Sequence, residues 1–150
     1  MTQSLPPKSL ILHADDDPDD IEIVKDAFKP YPNVEVVSFD NGEALLVNAV
    51  YLSSLGLSPC LIILDVNMPR LGGKELLKEL RNRKEFDETA IILFSTSTLP
   101  SEAAFAKTLN AGFVTKPLHA KQVDLIADIF IAQCPEEVKQ KIRQSKRGYL

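Results

Sequence analysis

An α/β fold with a parallel sheet is predicted by three features of the chain. Five candidate strands alternate with five candidate helices. The apolar runs in the middle, Leu61-Ile62-Ile63-Leu64 above all, show no alternation, as strands buried on both faces require. Each run then stops at an abrupt polar residue followed by turn signals. Alternation of this kind places helices on both faces of the sheet, with right-handed crossovers.

After a lead-in over 1–8 that contains Pro6-Pro7, Ser9-Leu10-Ile11-Leu12-His13-Ala14 is the first strand. It runs into Asp15-Asp16-Asp17-Pro18-Asp19-Asp20. Asp17 is a good N-cap and Pro18 suits the first helical position. Asp19 and Asp20 fall in the first turn, where the macrodipole favours anions. Asp15 and Asp16 have no such structural explanation. Ile21, Val24, Ala27 and Phe28 mark the inner face of the first helix, which Pro30 and Pro32 end. Val34 to Phe39 alternates in part and reads as a second strand nearer a sheet edge. Asp40 with Glu43 has capping-box spacing before the second helix, which carries Ala44, Leu45, Val47, Asn48, Val50, Tyr51 and Leu52. A loop is predicted over 53–59.

The third strand ends on Asp65, and Pro69 with Gly72-Gly73 breaks the chain. A third helix follows from about Gly73 to Arg83, with Leu76, Leu77 and Leu80 inward and Lys74, Glu75, Lys78, Glu79 and Arg81 solvated. Thr89 to Ser95 is the fourth strand. Pro100-Ser101-Glu102 opens the fourth helix and Asn110-Ala111-Gly112 closes it. The fifth strand starts at Gly112 and ends on Lys116-Pro117. The fifth helix runs from about Lys121 to Gln133, with Val123, Leu125, Ile126, Ile129 and Phe130 inward or shared with a partner. One domain is therefore expected over 9–133. The tail over 134–150, with Lys139, Lys141, Arg143, Lys146 and Arg147, reads first as a solvated or frayed extension that could form a short helix up to about Arg143, with a docking segment as the alternative.

The chain has 150 residues, 45% hydrophobic and 25% charged, as one ordinary globular domain requires. A net charge of -4 disfavours nucleic acid as a partner. No apolar run approaches the roughly 20 residues that span a bilayer, so no membrane insertion is expected. The first eight residues hold no signal-like apolar segment. Cys60 and Cys134 are too few for a disulfide framework and read as reduced thiols of a cytoplasmic protein.

Polar residues collect at the carboxyl ends of four strands: Asp15 and Asp16, Asp65, Ser95, and Lys116. In a parallel sheet those ends share one edge, where ligand chemistry sits. Three converging carboxylates repel and raise one another's pKa. A hard divalent cation relieves this, and Mg²⁺ is held by carboxylates together with phosphate oxygens and water. Asp65 can act as a nucleophile toward phosphorus, giving an aspartyl phosphate. The ammonium of Lys116 would neutralise the phosphoryl group, and Ser95 would donate to it. His13 and His119 lack ligand spacing and read as structural. Phe113 reads first as packed core.

These pieces together, Asp15-Asp16-Asp17-Pro18, Leu64-Asp65-Val66-Asn67-Met68-Pro69, Phe94-Ser95-Thr96-Ser97 and Phe113-Val114-Thr115-Lys116-Pro117, resemble the receiver domain of two-component response regulators. The resemblance covers roughly residues 9–133. It implies a flavodoxin-like, doubly wound sheet in the order 2-1-3-4-5, and a stand-alone switch rather than an enzyme. It implies that Asp65 accepts a phosphoryl group from a histidine kinase or a histidine phosphotransfer protein. Asp16 and Asp65 would ligate Mg²⁺ directly, Asp15 through water, and Asn67 through its main-chain carbonyl. Lys116 would pair with the phosphoryl oxygens. Ser95 and Phe113 would be the switch pair. The downstream partner, whether another protein or a second copy, would read the face of helix 4, strand 5 and helix 5. The Lys116–Pro117 bond would be cis. This chain departs from the pattern at Gly72, where an Asp often caps helix 3, at His119, and at Phe113, which has no hydroxyl. Helix 4 to strand 5 is one residue short. Asn67 and Ser97 stand at positions that tune dephosphorylation in the family.

Two other functions fit parts of the pattern. One is a phosphorylation-independent interaction module on the same fold. The other is a haloacid-dehalogenase-like phosphatase, whose acid/base Asp sits two residues after its nucleophile; here that position is Asn67.

Overall fold

The computed structural model describes residues 9–116 and 125–144. Its strands are β1 (Ser9–Ala14), β2 (Val34–Phe39), β3 (Leu61–Asp65), β4 (Ala90–Ser95) and β5 (Gly112–Thr115). They form one parallel sheet in the order β2-β1-β3-β4-β5, as the resemblance implied. Every residue of β3 and β4 is buried, whereas β2 at the edge is mostly half-buried. The unalternating and the partly alternating runs thus report central and edge positions respectively.

The helices are α1 (Pro18–Ala27), α2 (Gly42–Ser54), α3 (Gly73–Arg81), α4 (Pro100–Thr108), α5 (Ile126–Ala132) and α6 (Glu136–Gln144). Successive strand residues point to opposite faces, so each strand feeds two cores. Ile11, Ile63, Ile92 and Phe94 pack with Val24 of α1 and Phe28 just after it, Phe130 and Ile131 of α5, and Ile142 of α6. Leu12, Ile62, Leu64 and Leu93 pack with Leu45 of α2, Leu76, Leu77 and Leu80 of α3, and Ala106 of α4.

Several expectations need correction. The cap of α2 is Asn41, whose Oδ1 accepts from the Ala44 amide at 2.8 Å, and not an Asp40–Glu43 box. Asp40 lies one residue too early and instead accepts from Asn41 Nδ2 at 2.8 Å. The Glu43 amide is taken by the Arg70 carbonyl at 2.9 Å, which ties α2 to the loop after β3. Helix α2 runs on to Ser54, two residues into the expected loop. Helix α3 stops at Arg81, and a 3₁₀ turn at Lys84–Phe86 buries Phe86. β4 begins at Ala90, one residue late. Of the helix 5 residues expected to be inward or shared with a partner, Ile126 and Phe130 are inward, while Leu125 and Ile129 are exposed and left to the second half of that expectation.

At the C-terminal side the short helix is present, and what needs correction is its solvated or frayed state. Over Glu136–Gln144 the tail is a helix docked on the sheet, with Ile142 fully buried and Val138 packed on the same core. Val138 and Ile142 are four residues apart and share one helical face. Glu136 and Glu137 open α6 while Lys141 and Arg143 close it, which complements the dipole at both ends. The expected cis Lys116–Pro117 bond, His119, Val123 and the start of helix 5 lie outside the described residues, as do 1–8 and 145–150.

Candidate phosphoryl and metal site

Because the sheet is parallel, β1, β3, β4 and β5 deliver their last residues to one edge. Asp15 follows β1, and its amide donates to the Phe39 carbonyl at 3.0 Å. Asp65 closes β3. Asp15, Asp16 and Asp65 each offer a carboxylate oxygen, and these lie within 4.8 Å of one another. Asp15 and Asp65 are buried and Asp16 is exposed, so the trio is reached from solvent on the Asp16 side.

The loop after β3 is shaped by close approach. A Cβ on Gly73 would collide with the Asp65 carbonyl oxygen, so α3 can start beneath Asp65 only with glycine there. Arg70 and Leu71 both take positive φ, 49° and 84°. For a Leu this is a strained conformation, of the kind that clusters near functional sites. Asn67 is exposed two residues past Asp65, and it lines a cleft with Met68, Lys74 and Glu102.

Lys116 reaches in from the end of β5, only 7% exposed. Its Nζ lies 3.0 Å from Asp15 Oδ2, 3.3 Å from Asp65 Oδ1 and 2.7 Å from Asp20 Oδ2. It also stands 5.5 Å from the centre of the Phe94 ring. Burial alone would lower the Lys116 pKa, but hydrogen bonds to Asp20 and Asp15 outweigh it and hold the ammonium charged. Asp65 is pushed up to about 6, first by burial and then by the neighbouring Asp15 charge, with Lys116 offsetting only part. Asp15 is lowered: burial opposes this, but the His13 ring, the Asp17 amide and Lys116 more than compensate.

Ser95 ends β4 one residue beyond Phe94, which aligns with Asp65. Its hydroxyl accepts from the Ser97 amide at 3.0 Å and is turned toward Glu102 Oε2 at 3.4 Å. Phe113 is half-buried on β5 and packs on the α2–α3–α4 side of the sheet.

Three neighbours of the site escaped the sequence reading. Asp20 lies in the first turn of α1, where the dipole alone explains an anion, but its carboxylate is bound to Lys116; 96 residues separate the two, and no local pattern marks the pair. Glu102 is 8% exposed and faces both Ser95 and Lys74 Nζ, the latter at 3.9 Å. His13 is fully buried, with Nε2 3.6 Å from Asp15 Oδ2. Its place two residues before Asp15, on the same side of β1, was the available signal.

The donor set suits a hard divalent cation. It is all carboxylate, it is open on one side, and its member Asp65 is raised first by burial and then by the neighbouring Asp15 charge. Among the described residues no helix is long and apolar enough to cross a membrane.

The family model of the response regulator receiver domain matches residues 11–128. Hybrid signal transduction histidine kinase D of Dictyostelium discoideum is 26% identical over 140 residues, which is 91% of this chain and 8% of that protein. A protein-glutamate methylesterase/protein-glutamine glutaminase of Desulfotalea psychrophila is 30% identical over 99 residues, 64% of this chain and 26% of that protein. The chain thus spans only a minor part of both relatives. The structure of the phosphorylated cyanobacterial phytochrome response regulator RcpA superposes with a TM-score of 0.74 at 21% identity, covering 85% of this chain and 97% of that one. Sheet order, acidic edge and family match agree, and this chain belongs to the response regulator receiver domains.

Proposed function

We propose that this receiver domain is a Mg²⁺-dependent phosphoacceptor that takes a phosphoryl group onto Asp65 from the phosphohistidine of a sensor kinase or phosphotransfer protein. The observation that carries this reading is the contact of Lys116 Nζ with Asp65 Oδ1 at 3.3 Å, on the edge where three carboxylates converge. Asp15, Asp16 and Asp65, with the Asn67 main-chain carbonyl, would hold Mg²⁺. When bound, the ion supplies charge neutralisation for the phosphoryl oxygens.

The chain's own residues do the rest. An Asp65 oxygen forms the bond to phosphorus as the donor's N–P bond breaks, and the released imidazole takes a proton from solvent. A carboxylate with its pKa pushed up to about 6 is more basic than an ordinary aspartate yet ionised at neutral pH. Lys116, charged and buried, stands beside the acceptor oxygen and meets the charge that arrives. Ser95 then leaves Glu102 for the phosphoryl oxygens, and its strand neighbour β5, with Phe113, follows. The new charge shifts a pre-existing equilibrium by its differential contacts with the two states.

The surface that changes is that of α4, β5 and α5. Leu99 at the start of α4 and Leu125 and Ile129 at α5 expose apolar area there, which suits a protein partner. We place the protein in the cytoplasm, where such kinases deliver phosphoryl groups and where Cys60 and Cys134 stay thiols. The phosphatase alternative lacks its acid/base residue, since the Asn67 side-chain amide does not ionise and cannot act as a general acid or base.

The test is intact mass after incubation with Mg²⁺ and acetyl phosphate. One phosphoryl adduct, acid-stable, base-labile and absent from Asp65→Asn, is expected. Turnover of phosphate esters, or no adduct at all, would overturn the reading.

A further inference from the structure

We propose that Asp20 is a positioning residue that competes with the phosphoryl group for Lys116, and so sets how readily Asp65 stays phosphorylated. This rests on the phosphoacceptor reading above. An ammonium has three protons, and in this structure three carboxylates surround it. Lys116 Nζ meets Asp20 at 2.7 Å, Asp15 at 3.0 Å and Asp65 at 3.3 Å. The shortest contact goes to the residue that is neither the acceptor nor a member of the converging trio.

The three contacts respond differently when the site is loaded. The Asp65 carboxylate becomes the acyl phosphate, so its contact turns into a contact with the phosphoryl group itself. Asp15 belongs to the donor set for a cation, whose charge weakens its hold on an ammonium. Asp20 stands on α1, outside that set, so a cation held there would not compete for it directly. It is the acceptor that remains to draw the lysine back. The pair is partly shielded from water, with 8% and 20% of the two side chains exposed, so the attraction is not screened away. Asp20 therefore parks Lys116 within reach of the site and takes a share of its positive charge from the phosphoryl oxygens.

Replacing the carboxylate with an amide keeps an acceptor of the same shape but removes its charge. A charge-assisted hydrogen bond is about twice as strong as a neutral one, and a difference near 1.4 kcal/mol is about tenfold in affinity. Asp20→Asn is expected to tighten Mg²⁺-dependent binding of beryllofluoride, a phosphoryl mimic, by about three- to tenfold. Asp20→Ala should tighten it at least as much, and Asp20→Glu should return it toward the parent value.

The experiment has two arms. In metal-free protein, NMR of the lysine side-chain ammonium should show a protected Lys116 signal coupled to the Asp20 carboxylate and lost in Asp20→Ala. With Mg²⁺, calorimetry should give the beryllofluoride affinities. Absence of the resting signal, or affinities unchanged or weakened in both Asn and Ala variants while the parent protein binds, overturns the role of Asp20 alone. Failure of the parent to bind beryllofluoride, with Asp65→Asn no different, overturns the phosphoacceptor reading and this one with it.

Discussion

The Ser95 hydroxyl points at Glu102 Oε2 across 3.4 Å, and both residues are buried. The strand-end hydroxyl that is proposed to meet the phosphoryl group is thus already turned toward the Glu102 carboxylate on α4. Glu102 in turn faces Lys74 at 3.9 Å. The contact is long for a hydrogen bond, so it is weak enough to exchange.

Removing this competitor should favour the phosphorylated state. Glu102→Gln keeps the volume and removes the charge. The steady-state phosphorylated fraction with limiting acetyl phosphate should rise about two- to fivefold, the range of one weakened hydrogen bond near 0.5–1 kcal/mol. Gels that retard phosphoprotein would show it; an unchanged or smaller fraction would mean that Glu102 does not hold Ser95 back.

Asp65 makes metal-free protein less stable at neutral pH. Its folded pKa, pushed up to about 6, lies above the unfolded value of 3.8, so the native state binds the proton more tightly. That contribution is present below pH 3.8 and is lost as pH rises through about 6. The shift of roughly two units corresponds to at most about 3 kcal/mol. In EDTA at pH 7.5, Asp65→Asn should raise Tm by about 3–8 °C, and by much less at pH 4. A lower Tm for the variant at pH 7.5 would reverse the sign assigned here.

Mg²⁺ should relieve the same repulsion. Adding it to saturation should raise the Tm of the parent protein, because a ligand of the native state stabilises by mass action. Asp16 is the exposed member of the trio, and Asp16→Ala should keep the fold. Its Mg²⁺ affinity by calorimetry should fall at least about tenfold, the loss expected when one carboxylate of a small donor set goes. Equal affinities would remove Asp16 from the donor set.

Helix α6 is part of the fold, so truncating a single buried side chain there should be felt globally. Ile142 is 0% exposed, and Ile142→Ala should cost about 2–4 kcal/mol in urea unfolding. Phosphorylation of the folded fraction should persist. A loss under about 0.5 kcal/mol, the size of an ordinary surface substitution, would return 136–144 to the status of a loose extension.

The strands and most of the site were readable because their causes are local. Period and length mark Leu61–Asp65 as a doubly buried strand, and the residue that ends it is a carboxylate wherever the neighbours lie. The burial of α6 is not legible locally, for a quantitative reason. Val138 and Ile142 are only two apolar residues in a charged stretch, too few to signal a buried face without the sheet surface that receives them.

The linear chain, by its periodicities and strand-end residues, determined an alternating α/β domain and which side chains would share an edge: Asp15, Asp16, Asp65, Ser95 and Lys116. Tertiary packing decided what those side chains touch. Asp20 and Lys116 are 96 residues apart, and Ser95 meets Glu102 only because α4 folds back over the end of β4. The reason is physical: alternation and capping act over a few residues, whereas the choice of counter-charge for a buried ammonium depends on which helix the core draws beside it.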